Sequence, residues 1–398
     1  MKLQSKGTKA GFTLLEMMVS MAVTMVLLYT VVQLFMTATN SNTVVVQAAD
    51  MIDNFRASLN LIEQDLQQAG EGIPIGGINI PFTSNGSTTS PCGTTAAIVR
   101  PVLGSTTTFP PCNSTLPAVE PGNELGPPIT APDATAGTVQ NPNSITDEIT
   151  VLYADNQYPN GLNNQVIYSP STSTPACPNG SLTLSGGTLT VTFDPNCISL
   201  TASAYTTVHV GDLIMLSNSV GGGTNTIMTV TAVSTSGNTL TFASGDAFKL
   251  NGRTESSGTI QYLESGGSGC TATNAANSCF PSAGTYATRI SMISYYLDNV
   301  TAPPYVRLVR QVNMNSPVPV GETLENLQFT YNFVDGVTNP SNQNAVPTGN
   351  SESQIRSVNV YIAARSSYQG HQGNFHNFAR NNLVTQVSLR SMAFTNRY

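Results

Sequence analysis

One carboxylate stands alone in the most apolar stretch of the chain. Glu16 lies inside residues 12–36, FTLLEMMVSMAVTMVLLYTVVQLFM, and after it no charged residue appears until Asp50. An unpaired carboxylate in hydrocarbon costs at least about 2.5 kcal/mol on insertion scales, so Glu16 needs a partner. The only charges ahead of Phe12 are Lys2, Lys6 and Lys9, and Gly11 directly precedes the apolar run. Other chemistry-bearing residues are sparse. There are six cysteines (Cys92, Cys112, Cys177, Cys197, Cys270 and Cys279) and three histidines (His209, His371 and His376). A zinc site fits poorly, because no C-x-x-C pair exists and no histidine stands at ligand spacing to a cysteine. His371 and His376 sit in a Gly-, Gln- and Asn-rich stretch that reads as a solvated loop, and His209 reads as a strand surface residue. No G-x-S-x-G elbow, H-E-x-x-H helix, Walker loop or calcium loop is present. The glycine runs at 221–223 and 266–269 read as hairpin tips, since no strand-loop-helix context follows them. The expectation is a non-enzyme with no catalytic residue, no metal and no cofactor.

The cysteines all follow the apolar segment. Six can pair in fifteen ways. The economical pairing joins sequence neighbours, as Cys92–Cys112, Cys177–Cys197 and Cys270–Cys279. Closing a loop of about 20 residues stabilises a fold by roughly 3 kcal/mol in the chain-entropy model.

The elements that position these residues begin with the apolar run. Its length at about 1.5 Å per residue exceeds the roughly 30 Å hydrocarbon layer, so residues 12–36 read as a membrane span. The lysine-only leader puts the N-terminus in the cytoplasm and the bulk of the chain on the exported side, where disulfides form. From Phe12 to Ala69 there is no Gly and no Pro, which predicts one continuous helix of 58 residues. Val45, Ala48, Ile52, Phe55, Leu59, Ile62, Leu66 and Ala69 alternate steps of three and four. That stripe predicts packing against a globular domain, with a coiled coil as the rival reading. Gly70, Gly72 and Pro74 end the helix.

The chain as a whole has ample material for a core, with 40% hydrophobic residues in a length of 398, but only 9% charged. Residues 12–398 hold 12 bases and 22 acids, a balance of −10 that argues against a nucleic-acid surface. Half of the 24 prolines fall within residues 74–142, which predicts loops and short edge strands there. After that, β-rich runs recur at 148–153, 181–185, 188–193, 206–216, 226–233, 239–242, 259–263, 285–297, 305–312, 324–334, 355–363 and 383–389. Turn residues separate most of them, as in a mainly antiparallel β domain.

A secretory signal peptide places its small-residue cleavage site beyond the apolar stretch, whereas here Gly11 precedes it. The junction Lys9-Ala10-Gly11/Phe12-Thr13-Leu14-Leu15-Glu16 resembles the type III signal of type IV pilins and type II secretion pseudopilins. That resemblance implies a leader, residues 1–11, removed by a prepilin peptidase between Gly11 and Phe12. It also implies N-methylation of Phe12, and subunit assembly in which Glu16 pairs with the terminal amine of a neighbour. The stretch Asp65-Leu-Gln-Gln-Ala-Gly70 is similar to the end of this helix in minor pilins of the PilW kind. Residues 305–310, 324–331 and 355–365 are similar to late strands of the PilW and pseudopilin-J group. Gln33 departs from the major pilins, which carry a proline near there.

The fold implied is α+β: a long N-terminal pilin helix, membrane-spanning in its first half, packed on a mainly antiparallel β C-terminal domain with β and loop insertions. Its expected parts are the helix (12–69), a Pro-rich region (70–146), a β-rich inserted subdomain (147–284) and a C-terminal pilin-like sheet region (285–398). The function implied is that of a minor pilin at or near the tip of a type IV pilus. Its partners would be other minor and major pilins, the prepilin peptidase, the inner-membrane pilus assembly platform and inner-membrane lipid, with no nucleic acid. The alternatives are a J-like pseudopilin, or a tip adhesin using residues 75–284.

Overall fold

The computed structural model describes residues 13–74, 76–81, 115–129, 145–155, 165–168, 176–200, 208–218, 224–252, 258–260, 285–299, 306–337, 350–366, 378 and 380–390. Helix α1 (Leu14–Gln68) is followed by β1 (Ile78–Asn79), β2 (Thr115–Leu116), β3 (Val119–Gly122), β4 (Glu148–Ala154) and β5 (Gln165–Tyr168). Then come β6 (Ser181–Ser185), β7 (Thr188–Thr192), β8 (Leu213–Asn218), β9 (Thr224–Thr229), β10 (Ala232–Ser234) and β11 (Thr239–Phe242). The last described strands are β12 (Thr285–Asp298), β13 (Arg307–Val312), β14 (Val318–Glu322), β15 (Leu324–Phe333), β16 (Ile355–Arg365) and β17 (Arg380–Ser388). This is the α+β architecture expected, a long N-terminal helix followed by antiparallel β structure. The chain divides into two compact units, Met1–Asp53 with Arg365–Asn381, and Asn54–Ala364 with Asn382–Tyr398.

In the first unit the helix runs without a break, as the absence of Gly and Pro predicts. Its side chains from Thr13 to Thr39 are all exposed. The hydroxyls in this stretch are spent on the helix itself: Ser20 donates to the Met17 carbonyl, Thr24 to Ser20 and Thr30 to Leu27, at 2.7–3.0 Å. Such back-bonding lets a hydroxyl sit in an apolar solvent without an unmet hydrogen bond.

The second unit is built on a sheet ordered β14-β13-β12-β4-β3, and the first half of β12 pairs also with β8 and β5. Both ends of that order carry proline, Pro319 in β14 and Pro121 in β3. A residue without an amide proton is tolerated at a sheet edge, and it blunts further pairing there. The helix segment Asn54–Gln68 packs in this same unit: Phe55, Leu59, Ile62, Leu66 and Ala69 are buried, and so are Ser58 and Asp65. Ser58 marks the closest approach, its Oγ donating to the Val320 carbonyl at 2.8 Å. A Cβ on the adjacent Gly321 would stand 2.3 Å from that Oγ, so only glycine fits. The helix end is then stitched to β4, with the Gly70 N–H on the Leu152 carbonyl (2.9 Å) and the Ala154 N–H on the Glu71 carbonyl (2.7 Å).

The opposite face of β4 and β12 packs Leu152, Ala154, Ile290 and Met292 against Ile78, Leu116, Leu213, Ile227 and Phe248. A second core forms under the sheet β10-β11-β7-β6, where Leu182, Leu189, Val191, Leu240 and Phe242 meet Ile214, Leu216 and Met228. The Cys177–Cys197 disulfide closes the segment that carries β6 and β7. The third sheet, β15-β16-β17, is joined to β4 through Asp147, whose N–H donates to the Leu327 carbonyl at 2.9 Å.

Strand β4 falls in the region read from sequence as an inserted subdomain, yet it pairs with β12 over Ile290–Tyr295. The central sheet thus draws on residues from both sides of position 285. The run expected at 226–233 is two strands, β9 and β10, split at Val230-Thr231. The run expected at 206–216 shortens to a strand beginning at Leu213, after the turn at Gly211.

Candidate functional site: the two ends of the helix

The helix begins at a reciprocal cap. The Thr13 N–H donates to Glu16 Oε2 at 3.0 Å, the Thr13 hydroxyl donates to the same oxygen at 3.2 Å, and the Glu16 N–H donates back to Thr13 Oγ1 at 3.3 Å. This is a capping box. It gives the lone carboxylate of the apolar stretch a local partner and places its charge at the positive end of the helix dipole. Thr13 was not singled out from sequence, although Thr-x-x-Glu ahead of an apolar run is the signal that finds such a cap. Gly11 and Phe12, the expected cleavage and methylation positions, lie outside the described residues.

At the other end a second carboxylate is held quite differently. Strand alternation puts Tyr153 and Asp155 of the β4 region, Arg289, Ser291, Ile293 and Tyr295 of β12, and Arg310 and Val312 of β13 on one face. Asp65, on the last turns of α1, projects onto that face. Its Oδ1 accepts from the Tyr153 hydroxyl (3.0 Å) and Arg310 Nη2 (3.2 Å), and its Oδ2 from the Tyr295 hydroxyl (2.5 Å) and Arg310 Nε (2.8 Å). A bidentate guanidinium and two phenols therefore saturate a carboxylate that is only 6% exposed.

The electrostatics follow from this packing. Burial, reinforced by the adjacent Asp65 charge and its hydrogen bonds, raises both tyrosine hydroxyls well above the ordinary phenol range. Burial alone would lower the Arg310 guanidinium, but its hydrogen bonds and charge contact with Asp65 outweigh that and raise it. Nearby, Arg289 forms an ion pair with Asp155 and a longer one with Asp212 at 3.5 Å.

Of the expected packing stripe, the structure brings Phe55, Leu59, Ile62, Leu66 and Ala69 together in the core, while Ala48 and Ile52 are half-buried. Val45 departs from the expectation. It is 64% exposed, because burial on this helix starts only at Met51. Apolar periodicity also missed Ser58 and Asp65, which share the buried face seven residues apart with Met51. The sequence signal for them is that spacing of seven, masked because both are polar. Cys177 and Cys197 are bonded as the economical pairing proposed. Cys92, Cys112, Cys270 and Cys279, with His371 and His376, lie outside the described residues. His209 is exposed. Among the described residues, no three His, Cys, Asp or Glu side chains are grouped to hold a metal ion.

Residues 6–28 match the family model of the prokaryotic N-terminal methylation motif. No curated protein and no solved structure matches the chain. The matched motif lies across the start of a helix long and apolar enough to cross a membrane. Together with the helix-on-sheet fold, this defines a membrane-anchored, pilin-like protein.

Proposed function

We propose that this protein is a minor pilin of a type IV pilus, of the PilW kind, incorporated at or near the fibre tip, where it primes or supports assembly. The observation that carries the reading is the junction itself: Gly11 and Phe12 stand immediately ahead of a capped apolar helix with one carboxylate in its first turn. Cutting there on the cytoplasmic face frees the α-amine of Phe12 and leaves the helix in the inner membrane with the C-terminal domain in the periplasm. Glu16 then exchanges its Thr13 partner for the amine of a neighbouring subunit, which neutralises two charges in the bilayer and sets the axial register. A domain of more than three hundred residues on one pilin helix is too bulky for every position in a helical fibre, which favours a rare place at the tip.

The test is Glu16→Ala expressed in the pilus-forming cell. Mass spectrometry should find the variant starting at a methylated Phe12 in the membrane fraction but absent from sheared fibres, whereas the native chain is present in both. Fibres that contain the alanine variant at native level would overturn the pairing mechanism. A mature chain that starts elsewhere would overturn the assignment.

A further inference from the structure

The face that holds the Asp65 cluster also forms a cleft of about 680 Å³ between the last helical turns and the sheet. That volume falls in the range of small-molecule sites, about 300–1,000 Å³. One wall is the end of α1 and the turn after it, with Gln64 and Gln68 one helical turn apart and Glu71 in the turn. The other is Asp155, Arg289 and Ser291, with the Asp65–Arg310 pair at one end. We propose that this cleft binds a neutral, hydroxyl-rich ligand of saccharide type.

Charge decides the ligand class. Each guanidinium of the cleft stands against a carboxylate, Arg289 against Asp155 and Arg310 against Asp65, and Glu71 adds a third carboxylate. At either ion pair an anionic ligand meets a carboxylate beside the guanidinium, and a cationic ligand meets a guanidinium beside the carboxylate. In a site of reduced dielectric either encounter is costly. A hydroxyl is both donor and acceptor, so it suits a lining in which the two kinds of group stand side by side.

The buried ion pairs are formed without any ligand, so their geometry is set in advance and binding orders few side chains. The groups with unused hydrogen-bonding capacity stand on the wall made by the helix end and its turn. No side-chain hydrogen bond or ion pair engages Gln64, Gln68 or Glu71 among the described residues. Leu61, Ile293 and Val312 add a small apolar floor for the C–H face of a sugar ring. The site belongs wholly to the second unit and does not depend on the pilus reading, since a pseudopilin would carry the same cleft.

The test uses the full chain in lipid nanodiscs, which avoids glycoside detergents that would compete. Saturation-transfer NMR is run with free glucose, galactose, N-acetylglucosamine and lactose, and with glucosamine and glucuronic acid as the cationic and anionic comparators. At least one neutral sugar should receive saturation, and the charged comparators should bind about tenfold more weakly or not at all. Gln64→Ala with Gln68→Ala removes two amides from a helix surface where alanine is a better helix former, so the fold is retained. It should weaken the neutral sugar about 30-fold. Glu71→Gln keeps the hydrogen-bonding capacity without the charge, and should change the neutral sugar's affinity by less than about threefold. Three results would each overturn the proposal: no neutral sugar bound, binding unaffected by the double alanine variant, or glucosamine bound best with that binding lost in Glu71→Gln.

Discussion

Replacing Asp65 by alanine tests whether the helix is held to the sheet by a saturated charge or only by apolar contact. The substitution takes the acceptor from four hydrogen bonds at once. Tyr295 is fully buried and loses the acceptor of its hydroxyl, and an unmet buried donor costs about 1–3 kcal/mol. Arg310 is 24% exposed, so water relieves part of its loss. Breaking one partner of a buried pair costs about 3–5 kcal/mol in general, and partial exposure places this case near about 3. Urea unfolding of the full chain in micelles, followed by tyrosine near-ultraviolet circular dichroism, reads the change directly because the chain has 14 tyrosines and no tryptophan. Alkaline titration supplies a second reading. The raised hydroxyls of Tyr153 and Tyr295 contribute stability that is complete below about pH 10, the unfolded value, and is lost only as pH rises through their folded values. The native protein should therefore keep two phenols un-ionised until it unfolds, and Asp65→Ala should release both to titrate earlier. Asp65→Leu combined with Arg310→Met should be less destabilising than the sum of the single changes by at least about 1 kcal/mol, because the lone buried charge is gone. An alanine variant within about 0.5 kcal/mol of the native chain, with all tyrosines titrating normally in both, would refute the reasoning.

Asp147 should make the fold lose stability as the solution becomes less acid. Burial, opposed by the N–H groups of Glu124 and Phe329 and assisted by the Glu124 charge, pushes its carboxyl up to about 6. A raised carboxyl favours the folded state fully below its unfolded value near 3.8 and loses that contribution as pH rises through about 6, a change of about 3 kcal/mol. Urea midpoints measured from pH 4 to 7 should fall across this window, and Asp147→Asn should flatten that fall; an unchanged slope would contradict the assignment. Cys177→Ser with Cys197→Ser opens a bridge of sequence separation 20 and should cost about 3 kcal/mol, seen as a lower urea midpoint with no change of helix content.

What was legible in the sequence followed from single-residue and periodic rules. The lack of Gly and Pro gave the helix its length, and strict alternation located β7 at Thr188. Strands β3 and β14 were hidden because Pro121-Gly122 and Pro319 with Gly321 look like turns, and only their place at the sheet edges makes them tolerable as strands. The clasp at Asp65 was hidden for a related reason. A carboxylate one position before Leu66 reads as solvent-facing, and nothing local says that a tyrosine 88 residues on, another 230 residues on and an arginine 245 residues on will meet it. Buried polar groups are specified by long-range pairing, which periodicity does not record.

The two carboxylates at the ends of one helix are satisfied in opposite ways, and the difference suits the proposed assembly role. Glu16 is held only by its own helix terminus, through Thr13, at an exposed position. Giving up such a cap costs about 1 kcal/mol, so an incoming amine can replace it. Asp65 is held by groups from three strands in the core, at a cost of several times that to release. A subunit that exchanges partners at its membrane end must not come loose from its own domain while doing so. The stronger attachment therefore stands at the end that stays put, and a variant weakened at Asp65 should be processed and inserted normally yet fail to carry its domain intact into the fibre.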